Sequence, residues 1–255
     1  MRGTLAFFKK ELIEHTRNYK LFIFFIVFAV IGVLSPLSAK FLPELLESLM
    51  DENITIILQE PTHVDSWIQF FSNINQLGLV VMILVFSPLM AREYEKGTLV
   101  HMVTKGLPRL SIYSAKLALL YLTWTLFYWM SFLITLGYTY YYFPDSSTDG
   151  LFVATFSLYV FGLMLLALLL FSAVLLESTF APLLAVGGFV GLLFIGELVP
   201  SIQEWSPLQL STRNVEWLTG LEPGQEIIQG FVVTGVLTVL CIAAGAALFR
   251  KKAIN

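Results

Sequence analysis

Six stretches of this chain, each 19 to 28 residues long, carry no charge at all: Leu21–Ala39, Ser66–Ala91, Leu117–Pro144, Leu151–Leu176, Ser178–Gly196 and Ile227–Phe249. A helix crosses about 30 Å of hydrocarbon in roughly 17 to 25 residues, so every stretch is long enough to span a bilayer. The expected fold is all-α, a polytopic membrane protein of six transmembrane helices in one domain covering residues 1–255. The charges between the stretches point to an orientation. With a cytoplasmic N-terminus, Arg2, Lys9, Lys10, Arg17, Lys20, Arg92, Lys96, Lys105, Arg109, Lys116, Arg250, Lys251 and Lys252 fall inside, and only Lys40 and Arg213 outside. Cytoplasmic loops retain Lys and Arg, so both termini are expected in the cytoplasm.

Composition closes off other classes. The chain is 57% hydrophobic and 13% charged, far from the roughly 25% charged residues of soluble domains. Its net charge of -3 comes from acids in the outside loops, and no basic nucleic-acid footprint remains. The single cysteine, Cys241, lies in the last stretch, which leaves no intrachain disulfide and no thiolate cluster. His15, His63 and His101 are far apart and suggest no metal site. No Gly-x-x-x-x-Gly-Lys-Ser/Thr loop occurs, so any ATP must be handled by a partner. No ionisable residue lies deep in a stretch, Glu197 coming nearest. Charge at the bilayer centre costs at least ~2.5 to 3.5 kcal/mol and usually marks function, so its absence disfavours proton-coupled transport and ion conduction.

The connections have patterns of their own. Over residues 1–20, Leu5, Phe8, Leu12 and Thr16 recur every three to four positions with Lys9, Lys10, Glu14 and Arg17 between them. That is the pattern of an amphipathic helix lying in the membrane interface. Residues 40–65 are expected to fold partly onto the outer face, with Trp67 marking the interface. Residues 200–226, broken by Pro200, Pro207 and Pro223 and flanked by Trp205 and Trp217, read as an outside re-entrant or interfacial segment.

The sharpest local pattern is the inside loop of residues 92–109. Thr98 suits an N-cap, Leu99, Met102 and Val103 share one face, Gly106 suits the left-handed C′ position and Pro108 forbids continuation. A helix of two turns does not persist alone in water. The apolar ridge is therefore expected to dock on a cytoplasmic partner.

Glu93-Tyr94-Glu95-Lys96-Gly97-Thr98-Leu99, followed by Leu107-Pro108-Arg109, resembles the Glu-x-Glu-x-Gly-Thr signature in permease subunits of the ABC type-2 exporter family. Six spans, an amphipathic start and a broken segment before the last span fit that resemblance along the whole chain. It implies a half-transporter: two permease copies, a homodimer, each resting on an ATP-binding cassette subunit, so two cassette copies in all. ATP and Mg2+ would sit on that partner, and this chain would carry no cofactor, no metal and no catalytic residue. The coupling residues it implies are Glu93, Glu95, Gly97, Thr98, Leu99, Met102, Val103 and Lys105, with Glu93 and Glu95 meeting basic residues of the cassette subunit. Tyr94 departs from the family, which usually has Arg or a similar residue there. The implied setting is the bacterial cytoplasmic membrane, with membrane lipids as surroundings.

Within the spans, Asn73, Asn75 and Gln76 would be poorly solvated against lipid and should face protein, water or substrate. Phe25 and Phe28 belong to a phenylalanine-rich first span that could line a greasy path, and Gly187 and Gly191 form a small-xxx-small surface for close helix approach between copies. The expected function is export of an amphiphilic or hydrophobic substrate, such as an antimicrobial or toxin peptide, a drug or a lipid. The alternative is a non-transport subunit for envelope assembly or sensing that works with a cassette ATPase.

Overall fold

Long runs of Leu, Phe, Val and Ala give the backbone no partner but itself in an apolar medium, and helix is the local solution. The computed structural model describes residues 2–49, 60–95, 97–104, 106–144, 149–219 and 225–252, and among them there is no strand. The helices are α1 (Arg2–Arg17), α2 (Lys20–Leu49), α3 (His63–Asn73), α4 (Leu79–Phe86), α5 (Ala91–Glu95), α6 (Thr98–Thr104), α7 (Arg109–Tyr142), α8 (Leu151–Leu176), α9 (Ala181–Gly196), α10 (Pro200–Gln203), α11 (Gln209–Thr212), α12 (Asn214–Leu218) and α13 (Gln225–Lys251). A π-helical turn, Ile74–Gly78, joins α3 to α4, and a tight 3-10 turn, Ser87–Leu89, leads on to α5.

Among the described residues, five segments are long and apolar enough to cross a membrane: Lys20–Leu42, His63–Glu95, Arg109–Tyr142, Leu151–Leu176 and Ile227–Lys251. The remaining stretch forms α9, whose 16 residues reach only ~24 Å at 1.5 Å per residue. It is shorter than its uncharged run because Glu177 turns at φ 49 and Ser178–Phe180 bend before the helix starts beside Pro182.

The most buried of these five segments is α8, flanked by α7 and α13. Trp124 Nε1 donates to the Tyr159 carbonyl at 3.0 Å and Tyr128 Oη to the Thr155 carbonyl at 2.7 Å, tying α7 to α8. Gly162 lets them approach, since a Cβ there would lie 2.3 Å from the Trp124 ring. On the other side of α7 sits α2, with Pro36 inside it. Proline cannot donate to the carbonyl four residues back, and Thr135 Oγ1 of α7 donates to that Gly32 carbonyl at 3.1 Å instead.

An aromatic cluster fills the space between α2, α4 and α7: Phe24 stacks on Phe86 at 5.0 Å, and Phe28 meets Trp124 edge-on at 5.9 Å. Phe28 is therefore core, while Phe25 is half exposed on the outer surface of the bundle. Trp67 is also core, stacked on Phe132 at 5.4 Å, and Trp217 is buried near the start of α8. Trp205 remains half exposed.

Most of the basic segments meet at one end of the bundle. Lys10 reaches Glu93, Lys116 reaches Glu11, Arg109 donates to carbonyls of Arg250 and Lys252, and Lys252 pairs with Glu177 at 2.6 Å.

Candidate functional site

The loop that carries the signature is built at this basic end. Gly97 has φ +61 and Gly106 φ +84, left-handed values that a side chain would strain. At the end of α6 the Gly106 N–H donates to Val103 O at 3.0 Å and the Leu107 N–H to Met102 O at 3.2 Å, the paired bonds of a Schellman stop. Thr98, expected as an N-cap, donates its hydroxyl to the Glu93 carboxylate and, at 3.3 Å, to the Glu93 carbonyl. The short helix is thus pinned at one end by Glu93 and closed at the other by Gly106.

Sequence reasoning expected Glu93 to meet basic residues on another subunit; its carboxylate instead meets cations of its own chain. Lys10 Nζ lies 3.0 Å and Lys116 Nζ 3.4 Å from Glu93 Oε1. Lys116 also bonds Glu11 Oε2 at 3.2 Å and the Leu89 carbonyl at 3.4 Å. Both Lys116 and Glu11 have side chains only 1% exposed, and Glu93 7%. Their mutual pairing is obligatory, because an isolated charge in such a place is strongly unfavourable. Glu11, Glu14 and Glu93 bring oxygens within 4.8 Å of one another. The cation among them is the Lys10 ammonium, at 3.0, 2.9 and 3.0 Å. Although partial desolvation works against its charge, Lys10 titrates above its ordinary value, because the hydrogen bond to Glu14 and the charges of Glu11 and Glu93 hold its proton. Burial would raise Glu14, but its bond to Lys10 wins and its carboxyl lies below the usual value.

The helix α1 takes part through a stripe that sequence reading did not single out. Phe7, Glu11 and His15, at i, i+4 and i+8, are buried: Phe7 and Glu11 meet Lys116 of α7, and the His15 ring lies 5.9 Å from that of Phe86 in α4. Leu5 and Leu12, from the apolar stripe that was recognised, face away and are 72% and 41% exposed. A signal existed in that spacing. It was hidden because a helix normally buries its apolar face, and here the charged one is buried.

The ridge of α6 is also turned inward. Leu99 is 1% exposed, and Met102 and Val103 are partly buried against the same core, so the ridge does not lie open for a partner. Glu95 and His101 are on the exposed side of the loop. Lys105 lies outside the described residues. Tyr94 packs under the Lys252 ammonium, 5.4 Å from its ring centroid, linking the loop to the end of α13.

Away from the basic end, α3 and α4 with their π-helical turn, α8, α9 and the α11–α12 segment enclose a largely apolar cavity of about 510 Å³. Asn75, Gln76 and Gly187 line it. Asn75 Nδ2 donates across it to the Ser211 carbonyl at 2.9 Å, and Gln76 Nε2 to Ser72 Oγ at 3.0 Å. Asn214, fixed by bonds to Ala154 O at 2.8 Å and Leu210 O at 3.1 Å, adds an unpartnered buried Oδ1. Asn73 turns instead to Ser35 Oγ of α2, 3.1 Å away. Phe25, Phe28 and Gly191 are not among the lining residues; Gly191, like Gly187, is exposed, with no atom near a hypothetical Cβ.

Fold and sites define a helical protein that has, among the described residues, no strand and five segments long and apolar enough to span a membrane. No family model, curated protein or solved structure matches the chain.

Proposed function

We propose that the chain is the membrane subunit of an ATP-driven exporter, in which two copies each rest on a separate cassette ATPase and move an amphiphilic or hydrophobic substrate out of the cytoplasm. The observation that carries this reading is the bracing of the signature loop. Through Glu93 the loop is tied by buried ion pairs to α1 and α7, so a push on α6 reaches two other helices without loss in flexible linkers. A cassette subunit would meet the loop on the side of Glu95 and His101, with Leu99, Met102 and Val103 serving to seat α6 on its own bundle.

In this reading α9 makes a sixth, short crossing, the basic end is cytoplasmic, and α1 lies in the interface with Leu5 and Leu12 toward lipid. The exposed small residues Gly187 and Gly191 leave room for close approach of a second copy. The cavity beside Asn75 has the size and apolar character of small-molecule sites, which run about 300–1,000 Å³. It would accept an amphiphile whose polar part meets the amides.

The test is reconstitution with the cassette ATPase. A Glu95→Lys and His101→Asp double variant should lose the ATPase in pull-downs while keeping its own melting temperature. Retention of the ATPase at wild-type yield would remove this face from the coupling contact. Stimulation of ATPase activity by amphiphiles in liposomes separates export from a role in envelope assembly or sensing, where hydrolysis would be indifferent to them.

A further inference from the structure

A second cavity, of about 660 Å³, lies beside the ion network, between α1, the start of α2 and α5. Its lining carries five cations and three carboxylates. The carboxylates of Glu11, Glu14 and Glu93 are engaged by Lys10 and Lys116. That leaves Arg17, Lys20 and Arg92, none of which has a carboxylate within ion-pair distance among the described residues. Lys20 is the unusual one. The left-handed turn at Tyr19, φ 56, starts α2 so that Lys20 is drawn inward and is only 8% exposed. A buried ammonium without a counter-ion is costly unless something supplies one.

A second buried group in the lining is also unpartnered. His15, 3% exposed, has Nδ1 bonded to the Glu11 carbonyl at 2.9 Å, while its Nε2 has no partner. His15 belongs to the cavity lining, and this buried nitrogen is free to donate once protonated beside an anion. At the rim stands Ile13, about half exposed, so one wall of the entrance is apolar.

We infer that this cavity binds a phosphate-bearing anion, held by Lys20, Arg92 and Arg17 with His15 behind them, as the headgroup of an anionic phospholipid or as a soluble phosphate. Guanidinium groups suit the oxygens of a phosphate, and a lysine ammonium supplies a point charge. The inference goes beyond the exporter reading and stands whether or not an ATPase partner exists.

The experiment uses the full chain in detergent micelles doped with equal amounts of phosphatidylglycerol and phosphatidylcholine, with retained lipid measured after purification. Preferential retention of phosphatidylglycerol is expected, about tenfold weaker in Arg92→Gln and in Lys20→Gln, since each removes a charged contact. Arg92 is exposed, so its variant keeps the fold even if Lys20→Gln does not. Lys9→Gln, an exposed cation of α1 outside the cavity, should retain lipid as the wild type does. In a parallel arm without lipid, inorganic phosphate raises the melting temperature if the occupant is soluble, and Arg92→Gln abolishes the rise. Equal retention of both lipids together with no response to phosphate overturns the site. So does equal loss in Lys9→Gln, which would mean general surface charge.

Discussion

The two polar regions of this protein solve opposite problems. Around Glu93, four charged side chains from α1, α5 and α7 satisfy one another. Around Asn75, neutral amides line an apolar cavity and leave part of their hydrogen-bonding capacity unused. A closed charge network holds one geometry, because moving any member strands another. Amides with spare capacity tolerate rearrangement, since each misplaced bond costs only ~1 kcal/mol. The bundle is thus stiff around the ion network and permissive where it has room.

The largest expected effect comes from opening the stiff region. Lys116→Met removes the buried one of the two cations that Glu11 and Glu93 share, leaving them the half-exposed Lys10, and should destabilise the chain by about 3–5 kcal/mol, read as a lower melting temperature in detergent. Glu93→Gln should cost less, because the amide still reaches Lys10 and Lys116. An equal loss in both variants would mean that packing, rather than charge pairing, holds the region.

Acid attacks the same region through His15. Burial first, and then the Lys20 charge, lower its pKa from the ordinary 6.5 to about 4. The unfolded chain therefore takes up a proton below pH 6.5 while the folded chain does not, and stability is lost as pH falls from about 6.5 to 4. The shift corresponds to about 3 kcal/mol. Below that, Glu14 and its lowered carboxyl add a further loss. His15→Gln should flatten the melting profile between pH 6.5 and 4; an unchanged slope would place the acid sensitivity elsewhere.

In the permissive region, Asn75→Leu removes one donor to the Ser211 carbonyl and should cost ~1 kcal/mol. Its larger consequence should be altered stimulation by amphiphiles in the reconstituted system. A stability loss as large as that of Lys116→Met would erase the contrast between the regions. Smallest of all, Glu95→Ala, on the exposed side of the loop, should change stability by less than about 0.5 kcal/mol, although it lies two residues from Glu93.

That pair of glutamates marks how far the sequence could be read. The spacing Glu93-Tyr94-Glu95 treats both acids alike, and only the packing of α1 against α7 makes one buried and the other exposed. The same holds for the ridge of α6. Periodicity put Leu99, Met102 and Val103 on one face, and Gly106 and Pro108 at its stop, because these follow from local backbone geometry. Whether that face meets a partner or its own bundle depends on where α6 lies against the core.

By itself the sequence determined helices, their approximate limits and the charge imbalance between the two ends, because uncharged runs and left-handed turn residues act over a few neighbouring positions. The length of α9 was overestimated, since an uncharged run does not report that a bend at Glu177–Phe180 delays the start of the helix to Ala181. Lys10 was legible only as part of the polar side of an amphipathic helix and Lys116 only as an inside charge, and Glu11 was not singled out. Tertiary structure alone decided that they share a buried site, for ion pairs up to 105 residues apart arise from helix packing and leave no mark in local pattern.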